Sequence, residues 1–355
     1  MYELLLTTNS GIEDVVEQEF RALAEREELA FEAIETEPFG LGGRVLVETD
    51  EAPDRLVAAV HQMRSIHHVL RYVHEFTLPD DEPLEAIYET VRRLDLPEVA
   101  DAETFRVTSK RYGEHDFTSV DVQKAGGGAV DHHYETSVDL EDYDVEVRVD
   151  VQEERCLVGI QTTRRSLSKR FPHEYSPPAS LKSNVAYAML QLAHIDEHRP
   201  ERLLDPFCGA GTILMEAAEV YPDLEIVGSD ISEIAVEGVA ENIRAAGLRE
   251  RIEIRKADAR KLVESYPRGF ADLVVTNPPY GVRLDADMNF NAFYRDVLGQ
   301  LVRTLSDEGR VVMLVHKRAV FRGEIGNYPQ FDIRHVRIVE TGGVYPGIFV
   351  LQKRR

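Results

Sequence analysis

Residues 202–220, with the sequence RLLDPFCGAGTILMEAAEV, decide the fold of the C-terminal half of the chain. Their apolar beginning, 202–207, predicts a short buried strand, and the run that starts at Thr212 predicts a helix. Gly209 and Gly211 lie in the turn between the two, and glycines in such a turn let a ligand approach the backbone closely. The helix N-terminus adds free N–H groups. We therefore predict that a nucleoside binds at the carboxyl end of this strand.

Short apolar strands and helices alternate along the rest of the C-terminal half. We predict its strands at 202–207, 225–230, 252–258, 271–277 and 310–315. Strands that are separated by helices form a parallel sheet with right-handed crossovers. The end of the chain differs, because 331–340 and 347–352 are joined only by TGGVYP. The pattern predicts an α/β, Rossmann-like fold with an antiparallel terminal hairpin.

Each of the next three predicted strands ends on a polar residue. Asp230 ends the second strand, where a carboxylate can accept hydrogen bonds from both ribose hydroxyls. Asp258 ends the third, where an acceptor can bind an adenine amino group, and the fourth continues into Asn-Pro-Pro-Tyr at 277–280. Each has a structural alternative: a helix N-cap, a turn acid and an ordinary turn. Together with the glycine turn after the first strand, these make four such features at one edge of a sheet, which favours the binding-site interpretation.

Residues 181–355 resemble class I S-adenosylmethionine-dependent methyltransferases. The segment DPFCGAGT at 205–212 is similar to their cofactor loop, and NPPY at 277–280 to the (N/D)PP(Y/F) motif of amino-group methyltransferases. The resemblance implies that four residues are catalytic, namely Asn277, Pro278, Pro279 and Tyr280. It also implies that S-adenosylmethionine is bound by Asp205, Phe207, Gly209, Ala210, Gly211, Thr212, Asp230, Ile231, Asp258, Ala259 and Asn277.

The NPPY motif suits a poor nitrogen nucleophile, such as the exocyclic amine of guanine. The Asn277 side-chain oxygen and the Pro278 carbonyl can each accept an N–H bond, which turns the amine lone pair towards the methyl donor. Pro279 stiffens the loop, and Tyr280 offers a ring for base stacking worth about 1 to 3 kcal/mol. Because Asn277 is a neutral amide and no base, we expect catalysis by orientation and desolvation.

The N-terminal half follows a different pattern. Its first 76 residues predict a βαββαβ order, which is the ferredoxin-like arrangement. The pattern restarts after PDDEP (79–83) as a second small α/β unit. The segment SLSKRFPHEYSPPAS has three prolines and no apolar periodicity, which is typical of a linker. We predict a ferredoxin-like domain at 1–76, a second domain at 77–165, a linker at 166–180 and the catalytic domain at 181–355.

This half resembles the ferredoxin-like and THUMP domains of RNA guanine-N2 methyltransferases. The likeness rests on TFRVTSKRYGEHDFTS (104–119) and on two closing strands followed by RRSLSKR (164–170). It implies methylation of N2 of a guanosine in transfer RNA, most closely at position 6 of the acceptor stem, with the 3′ end of the RNA on the THUMP region. The predicted RNA-binding residues are Lys110, Arg111, Arg164, Arg165, Lys169 and Arg170.

Other functions share parts of this pattern. Enzymes acting at position 10 of transfer RNA usually carry Asp in place of Asn277, and ribosomal RNA guanine-N2 methyltransferases are a further alternative. DNA adenine and protein glutamine methyltransferases share NPPY, but the THUMP-like half counts against them. An RNA-binding protein that has lost methyltransferase activity is disfavoured by the intact Asp230, Asp258 and Asn277.

The charge of the chain is unusual. Its 41 Lys+Arg, of which 33 are Arg and 8 Lys, stand against 64 Asp+Glu, which leaves a net charge of −23. Abundant carboxylates with few lysines favour the hypothesis that the source is a halophilic archaeon. At about 1 M salt the Debye length is only about 3 Å. The net charge therefore does not exclude a nucleic-acid substrate.

Composition also limits the compartment. The chain contains two cysteines and no long apolar run, and we expect a cytoplasmic protein without a membrane span or an obligate protein partner. Cys208 lies within the glycine loop, where we interpret it as a packing residue. His194 and His198 have i,i+4 spacing on a predicted helix, but two ligands are too few, and we predict no metal site.

Overall fold

The computed structural model describes residues 2–172, 174–177, 180–279 and 289–354. The chain divides into two compact units. Unit 1 comprises Met1–Thr8 and Val16–Leu167, and unit 2 comprises Asn9–Val15 and Ser168–Arg355. The finer domain boundaries derived from the sequence stay predictions, because this division into units does not resolve them.

Unit 1 has one mixed β-sheet with helices packed on it. Its elements are β1 (Tyr2–Thr7), α1 (Glu13–Arg26, which begins in unit 2), β2 (Ala33–Thr36), β3 (Arg44–Thr49), α2 (Pro53–Val60), β4 (His68–Thr77), α3 (Pro83–Val91), α4 (Pro97–Ala100), β5 (Thr104–Thr108), β6 (Arg111–Tyr112), α5 (Ser119–His133), β7 (Ser137–Val138), β8 (Val145–Gln152) and β9 (Arg155–Gln161).

The strand order in this sheet is β2-β3-β1-β4-β9-β8-β5-β7, and β6 pairs with β8. The first elements follow the predicted βαββαβ order, with β1 antiparallel to β3 and β4. The antiparallel pairing of β4 with β9 extends the sheet into the second half of the unit. In α5, Gly126 packs so closely on the sheet that an added Cβ would lie 3.1 Å from Val149 Cγ2.

Unit 2 is an α/β unit around a second sheet. Its elements are α6 (Ser183–Leu192), α7 (Ile195–His198), β10 (Arg202–Asp205), α8 (Thr212–Val220), β11 (Glu225–Asp230), α9 (Glu233–Ala245), β12 (Ile252–Lys256), a 3₁₀ turn (Ala259–Glu264), β13 (Ala271–Thr276), α10 (Phe290–Thr304), β14 (Leu305–Val315), α11 (Arg318–Ile325), β15 (Phe331–Ile338) and β16 (Gly347–Lys353).

The strand order of this sheet is β12-β11-β10-β13-β14-β16-β15. The run from β12 to β14 is parallel, whereas β16 is antiparallel to both β14 and β15. The α/β fold with a Rossmann-like sheet and a terminal hairpin is thus confirmed. Leu203, Val227 and Val274 are fully buried, because helices cover both faces of the parallel part.

Several predicted element ends are corrected by the structure. β10 ends at Asp205 instead of Phe207, because Pro206 lacks the N–H that would continue the ladder. β12 ends at Lys256 and β13 at Thr276, so the polar residues that follow lie in loops. His194 and His198 do not share a helix, because α6 ends at Leu192 and His194 adopts a left-handed conformation with φ 50° before α7.

Within the part of the chain that the structure describes, no helix combines the length and the apolar character that crossing a membrane requires.

Candidate functional site

The carboxyl ends of β10, β11 and β13 meet at one edge of the unit 2 sheet, because these strands are parallel neighbours. A cavity of about 540 Å³ opens there. Of the residues predicted from the sequence, the structure brings into its wall Asp205, Phe207, Gly209, Ala210, Thr212, Asp230, Ile231, Asp258, Ala259, Asn277, Pro278 and Pro279. Tyr280 lies outside the described residues.

The glycine loop has the backbone geometry that its sequence predicts. Gly209 and Gly211 have φ values of +50° and +84°, a region that favours glycine. Gly211 does not line the cavity but packs on α9, where an added Cβ would lie 2.5 Å from Val239 Cγ2. No side chain caps α8, which begins at Thr212, so its first N–H groups are available to a ligand.

Asp230 joins the glycine loop to the end of β11. One carboxylate oxygen accepts a hydrogen bond from Gly209 N at 3.2 Å and the other from Ser232 N at 2.9 Å. A carboxylate oxygen has two acceptor positions, so each oxygen keeps one for a ligand hydroxyl. The N-cap of α9 is Ser232, whose hydroxyl accepts from Ala235 N. The alternative interpretation of Asp230 as a helix cap is therefore excluded.

Asp258 makes contacts that its sequence position does not predict. It caps the 3₁₀ turn by accepting from Arg260 N at 2.9 Å. The Arg260 guanidinium also donates to both carboxylate oxygens, at 3.0 and 2.8 Å. These bonds with Arg260 hold the pKa of Asp258 below its ordinary value. Asp258 therefore serves as the predicted turn acid and also presents an oriented carboxylate to the cavity.

Asp205 is a buried carboxyl in the cavity wall, with a relative exposure of 1%. Its Oδ1 accepts from Thr276 Oγ1 at 2.6 Å and from Phe207 N at 3.1 Å. Burial raises the pKa of Asp205 to about 7. Because Thr276 precedes Asn277, this hydrogen bond connects the cofactor loop to the Asn-Pro-Pro loop.

Asn277 brings an unsatisfied polar atom to the cavity wall. Its Oδ1 is buried and has no hydrogen-bond partner among the described residues, which is also true of Thr212 Oγ1. A buried unsatisfied acceptor costs about 1 to 3 kcal/mol. A ligand with an N–H group in the cavity would remove that cost by donating a hydrogen bond to this oxygen.

Cys208 is buried in the same loop, and burial raises the pKa of its thiol well above the ordinary value. A thiol that stays protonated is a poor nucleophile. The geometry therefore agrees with the packing interpretation.

The sequence pattern missed Tyr175, which lies in the predicted linker and lines the cavity. The side chain of Asn242 holds its backbone on both sides, accepting from Tyr175 N at 2.9 Å and donating to Tyr175 O at 2.7 Å. The Tyr175 ring covers Gly238 of α9, where an added Cβ would lie 2.2 Å from Tyr175 Cγ. A glycine inside a predicted helix was the available signal. Arg260 and Phe293 also line the cavity and were missed.

The residues predicted to bind RNA fall into different environments. In unit 1, Arg164 Nη2 donates to Tyr143 O at 3.1 Å, and Arg111 Nη1 donates to Gly113 O at 2.7 Å. Arg165 is exposed, as is Lys169 in unit 2. Arg170 forms an ion pair of 3.6 Å with the buried Glu216, so its charge is used inside unit 2. Lys110 donates its backbone N–H to Asp150.

A parallel sheet with a glycine loop, acid-ended strands and an Asn-Pro-Pro loop at one edge defines a class I methyltransferase. The RMKL-like methyltransferase domain model matches residues 170–346, and the THUMP domain model matches residues 82–161. These matches agree with the resemblance that the motifs carried.

Relatives match over most or nearly all of the chain. The tRNA (guanine(6)-N2)-methyltransferase of Thermus thermophilus is 35% identical over 98% of this chain and 98% of its own. That of Archaeoglobus fulgidus is 30% identical over 76% and 74%. The crystal structure of TrmN from Thermus thermophilus covers 99% of this chain and all of its own, with 34% identity and a TM-score of 0.79. The chain therefore belongs to the family of RMKL-like methyltransferases with a THUMP domain, and its methyl donor is S-adenosylmethionine.

The residues present fit this donor. The uncapped N–H groups at the start of α8 and the backbone of the left-handed Gly209 are accessible to S-adenosylmethionine. Asp230 keeps two acceptor positions for the ribose hydroxyls. The buried Asp205 offers a negative charge to a sulfonium cation once its carboxyl is ionised.

Binding of S-adenosylmethionine should depend on pH through Asp205. Below a pKa of about 7 the carboxyl is neutral, and affinity for the cation should fall by up to about tenfold per pH unit. Calorimetric titrations between pH 6 and 8 measure this, and S-adenosylhomocysteine, which lacks the sulfonium charge, should vary less. Asp205→Asn should flatten the profile. A profile that stays steep in that variant would assign the titration to another group.

The raised pKa of Asp205 also makes the free energy of unfolding depend on pH. Between its unfolded and folded pKa, Asp205 holds a proton only in the folded state, so folding is favoured at the acidic end of that window. This contribution should be lost as pH rises through about 7.

Gly238→Ala should weaken cofactor binding several-fold, because the new methyl group displaces the Tyr175 ring from the cavity wall. We expect a loss of about 1 to 3 kcal/mol in unfolding free energy from overpacking. The matched control is Gly323→Ala in α11, where nothing lies within 4 Å of an added Cβ. Calorimetry and denaturant unfolding of both variants check this, and equal cofactor affinity in the two would remove Tyr175 from the site.

Proposed function

We propose that this chain methylates the exocyclic N2 of guanosine 6 in the acceptor stem of transfer RNA. The observation that carries the proposal is the buried Oδ1 of Asn277, which lies in the cavity beside the glycine loop and has no hydrogen-bond partner in the described part of the chain. Its neutral amide suits an amine that has to be oriented rather than deprotonated. Relatives from Thermus thermophilus and Archaeoglobus fulgidus bear the name tRNA (guanine(6)-N2)-methyltransferase, which supports the position.

The protein's part in the reaction is positioning. When bound, S-adenosylmethionine supplies an electrophilic methyl group, whose transfer leaves S-adenosylhomocysteine. Asn277 Oδ1 and the Pro278 carbonyl accept the two amine N–H groups, which points the nitrogen lone pair at the methyl carbon. The N–C bond forms as the S–C bond breaks, and the methylated amine, which is then cationic, loses one proton to water. Asn277 does not accept this proton, because an amide is too weak a base.

The hydrogen bond between Thr276 and Asp205 supports this geometry. It ties the residue before Asn277 to the end of β10, and both bonded residues are buried. The amine acceptor and the cofactor loop are thereby held by one rigid element. Such preorganisation allows orientation to contribute to rate without a base.

The substrate has to present a base that is normally paired. In the stem, the N2 amine of guanosine 6 is hydrogen-bonded to the pairing base and the base is held in the stack, so the nucleotide has to leave the stem for its amine to enter the cavity. We propose that the THUMP region holds the 3′ end of the RNA and so selects the position. Exposed Arg164 and Arg165 of unit 1 support this part of the proposal.

The test uses the full-length protein with transfer RNA transcripts and S-adenosylmethionine, at molar KCl. The expected result is one N2-methylguanosine at position 6, mapped by mass spectrometry. A transcript with the 6–67 pair changed from G–C to A–U should not be methylated, whereas one with guanosine 10 replaced should. Methylation that survives loss of guanosine 6 and disappears with guanosine 10 would favour the enzymes acting at position 10.

A further inference from the structure

A group of exposed cationic and apolar side chains lies at the same sheet edge as Asn277. β14 ends at Val315, which pairs with Gly347 at the start of β16, and Ile338 at the end of β15 also pairs with Gly347. The segments after Val315 and before Gly347 therefore both project from the carboxyl edge of the sheet. We call the group the β14-edge surface, and it consists of Lys317, Arg318, Arg322, Val344 and Tyr345.

The charge of this surface is uncompensated within the described part of the chain. Lys317, Arg318 and Arg322 are exposed and form no ion pair with any described residue. The one acid in the sequence of α11, Glu324, is buried and bound to Arg295 at 3.3 Å. In a chain with 64 acids against 41 bases, a helix that exposes two arginines and no acid is unexpected for a merely solvated face.

The turn between β15 and β16 presents Tyr345 and Val344, with relative exposures of 60% and 44%. The turn is closed by a bridge between Thr341 and Val344, and the side chain of Glu340 accepts the Gly343 N–H at 2.5 Å. The carboxylate of Glu340 thus forms a hydrogen bond within the turn. An aromatic ring held outwards by a closed turn is available for stacking.

Two of the cations lie close to the turn or to an aromatic ring. The aliphatic part of Arg318 packs on Gly347, where an added Cβ would lie 3.1 Å from Arg318 Cδ. Arg318 therefore lies next to the end of the turn that carries Tyr345. Lys317 Nζ lies 5.7 Å from the centroid of the Phe290 ring at the start of α10. Cations interleaved with aromatic rings are typical of single-stranded nucleic-acid binding.

The position of the surface relative to Asn277 indicates what it binds. Thr276 of β13 is level with Met313 of β14, so Asn277 and Lys317 follow adjacent parallel strands. Neighbouring strands lie about 4.8 Å apart, which places β16 about 10 Å from β13. A polyanion whose base enters the cavity would have its next residues over this surface.

We infer that the β14-edge surface binds the RNA strand that carries the target guanosine. Lys317, Arg318 and Arg322 contact phosphates beside the target, and Tyr345 stacks on an unpaired base next to it. The inference rests on the proposed function, since it assigns a second RNA contact to the catalytic unit. The residues predicted from the sequence to bind RNA all lie at or before Arg170.

The first test is the triple variant Lys317→Ala, Arg318→Ala and Arg322→Ala. Each lost phosphate contact lowers the slope of log affinity against log salt by about 0.7 to 0.9. We expect the slope for transfer RNA binding to fall by about 2 to 3, and KM for transfer RNA to rise at least tenfold. Affinity for S-adenosylmethionine should be unchanged by calorimetry.

The matched control removes the same charge at the opposite edge of unit 2. Arg244 and Arg303 lie in the last turns of α9 and α10, just before β12 and β14 begin, and Arg249 lies in the loop before β12. Like the tested residues, these three are exposed and form no ion pair with the described residues. Arg244→Ala, Arg249→Ala and Arg303→Ala together should leave the slope and KM as in the wild type.

Tyr345→Ala and Tyr345→Phe separate stacking from folding. The alanine variant should lose about tenfold or more in transfer RNA affinity, and the phenylalanine variant should retain it, because both rings stack. Equal thermal stability of the two variants shows that the turn is intact.

The outcomes distinguish the two hypotheses. Binding is measured directly, so a wild-type protein that binds transfer RNA but does not methylate its guanosine contradicts the proposed function alone. A triple variant with the wild-type salt slope, or a control variant with the same reduced slope, overturns the inference while the proposed function stands.

Discussion

Turnover of the Asn277→Ala variant is expected to fall by about 10²-fold or more. The variant loses the acceptor that we propose orients the amine, and removing one positioned hydrogen-bonding group at a reacting centre costs about 10² to 10³ in kcat. Single-turnover methylation of transfer RNA with saturating S-adenosylmethionine measures this step. Affinities for both substrates should change by less than about threefold.

Two further variants make the result specific. Asn277→Asp keeps an acceptor oxygen at this position and should retain more activity than Asn277→Ala. Asn327→Ala removes an amide that donates to Glu324 outside the cavity, and its turnover should equal that of the wild type. Turnover of Asn277→Ala within a few-fold of the wild type would contradict the role assigned to Asn277.

Reversing the charges of Arg164, Arg165 and Lys169 to Glu should abolish methylation of transfer RNA. All three are exposed, and the variant replaces three positive charges by three negative ones near the predicted contact with RNA. At about 0.2 M salt such a change is expected to cost more than 10²-fold in affinity. Binding of S-adenosylmethionine should be unchanged, which calorimetry checks.

Arg170 is left intact in this variant, because its ion pair with the buried Glu216 belongs to the packing of unit 2. A transfer RNA trimmed of its 3′ terminal nucleotides should be a similarly poor substrate for the wild type. Reversing Arg244, Arg249 and Arg303 to Glu changes the net charge equally and should have much less effect. If the charge-reversed protein and the trimmed RNA both worked normally, the THUMP region would not hold the 3′ end.

Part of the site was predictable because its signals are local in the chain. The turn Asp205 to Thr212 combines a strand end, two glycines in left-handed geometry and a helix start within eight residues. Alternating strands and helices then imply a parallel sheet, whose carboxyl edge collects Asp230, Asp258 and Asn277. Periodicity and turn chemistry depend on neighbouring residues, and a sequence contains that information directly.

The sequence by itself therefore determined the class of fold, the edge at which the cavity opens and many of the residues that line it. Only the tertiary structure decided the contacts between distant segments. Tyr175 binds Asn242, which lies 67 residues away in the chain, and Arg170 forms an ion pair with Glu216. Burial then sets the pKa of Asp205 near 7. Long-range packing and desolvation depend on which surfaces meet, and no local pattern in the chain contains that information.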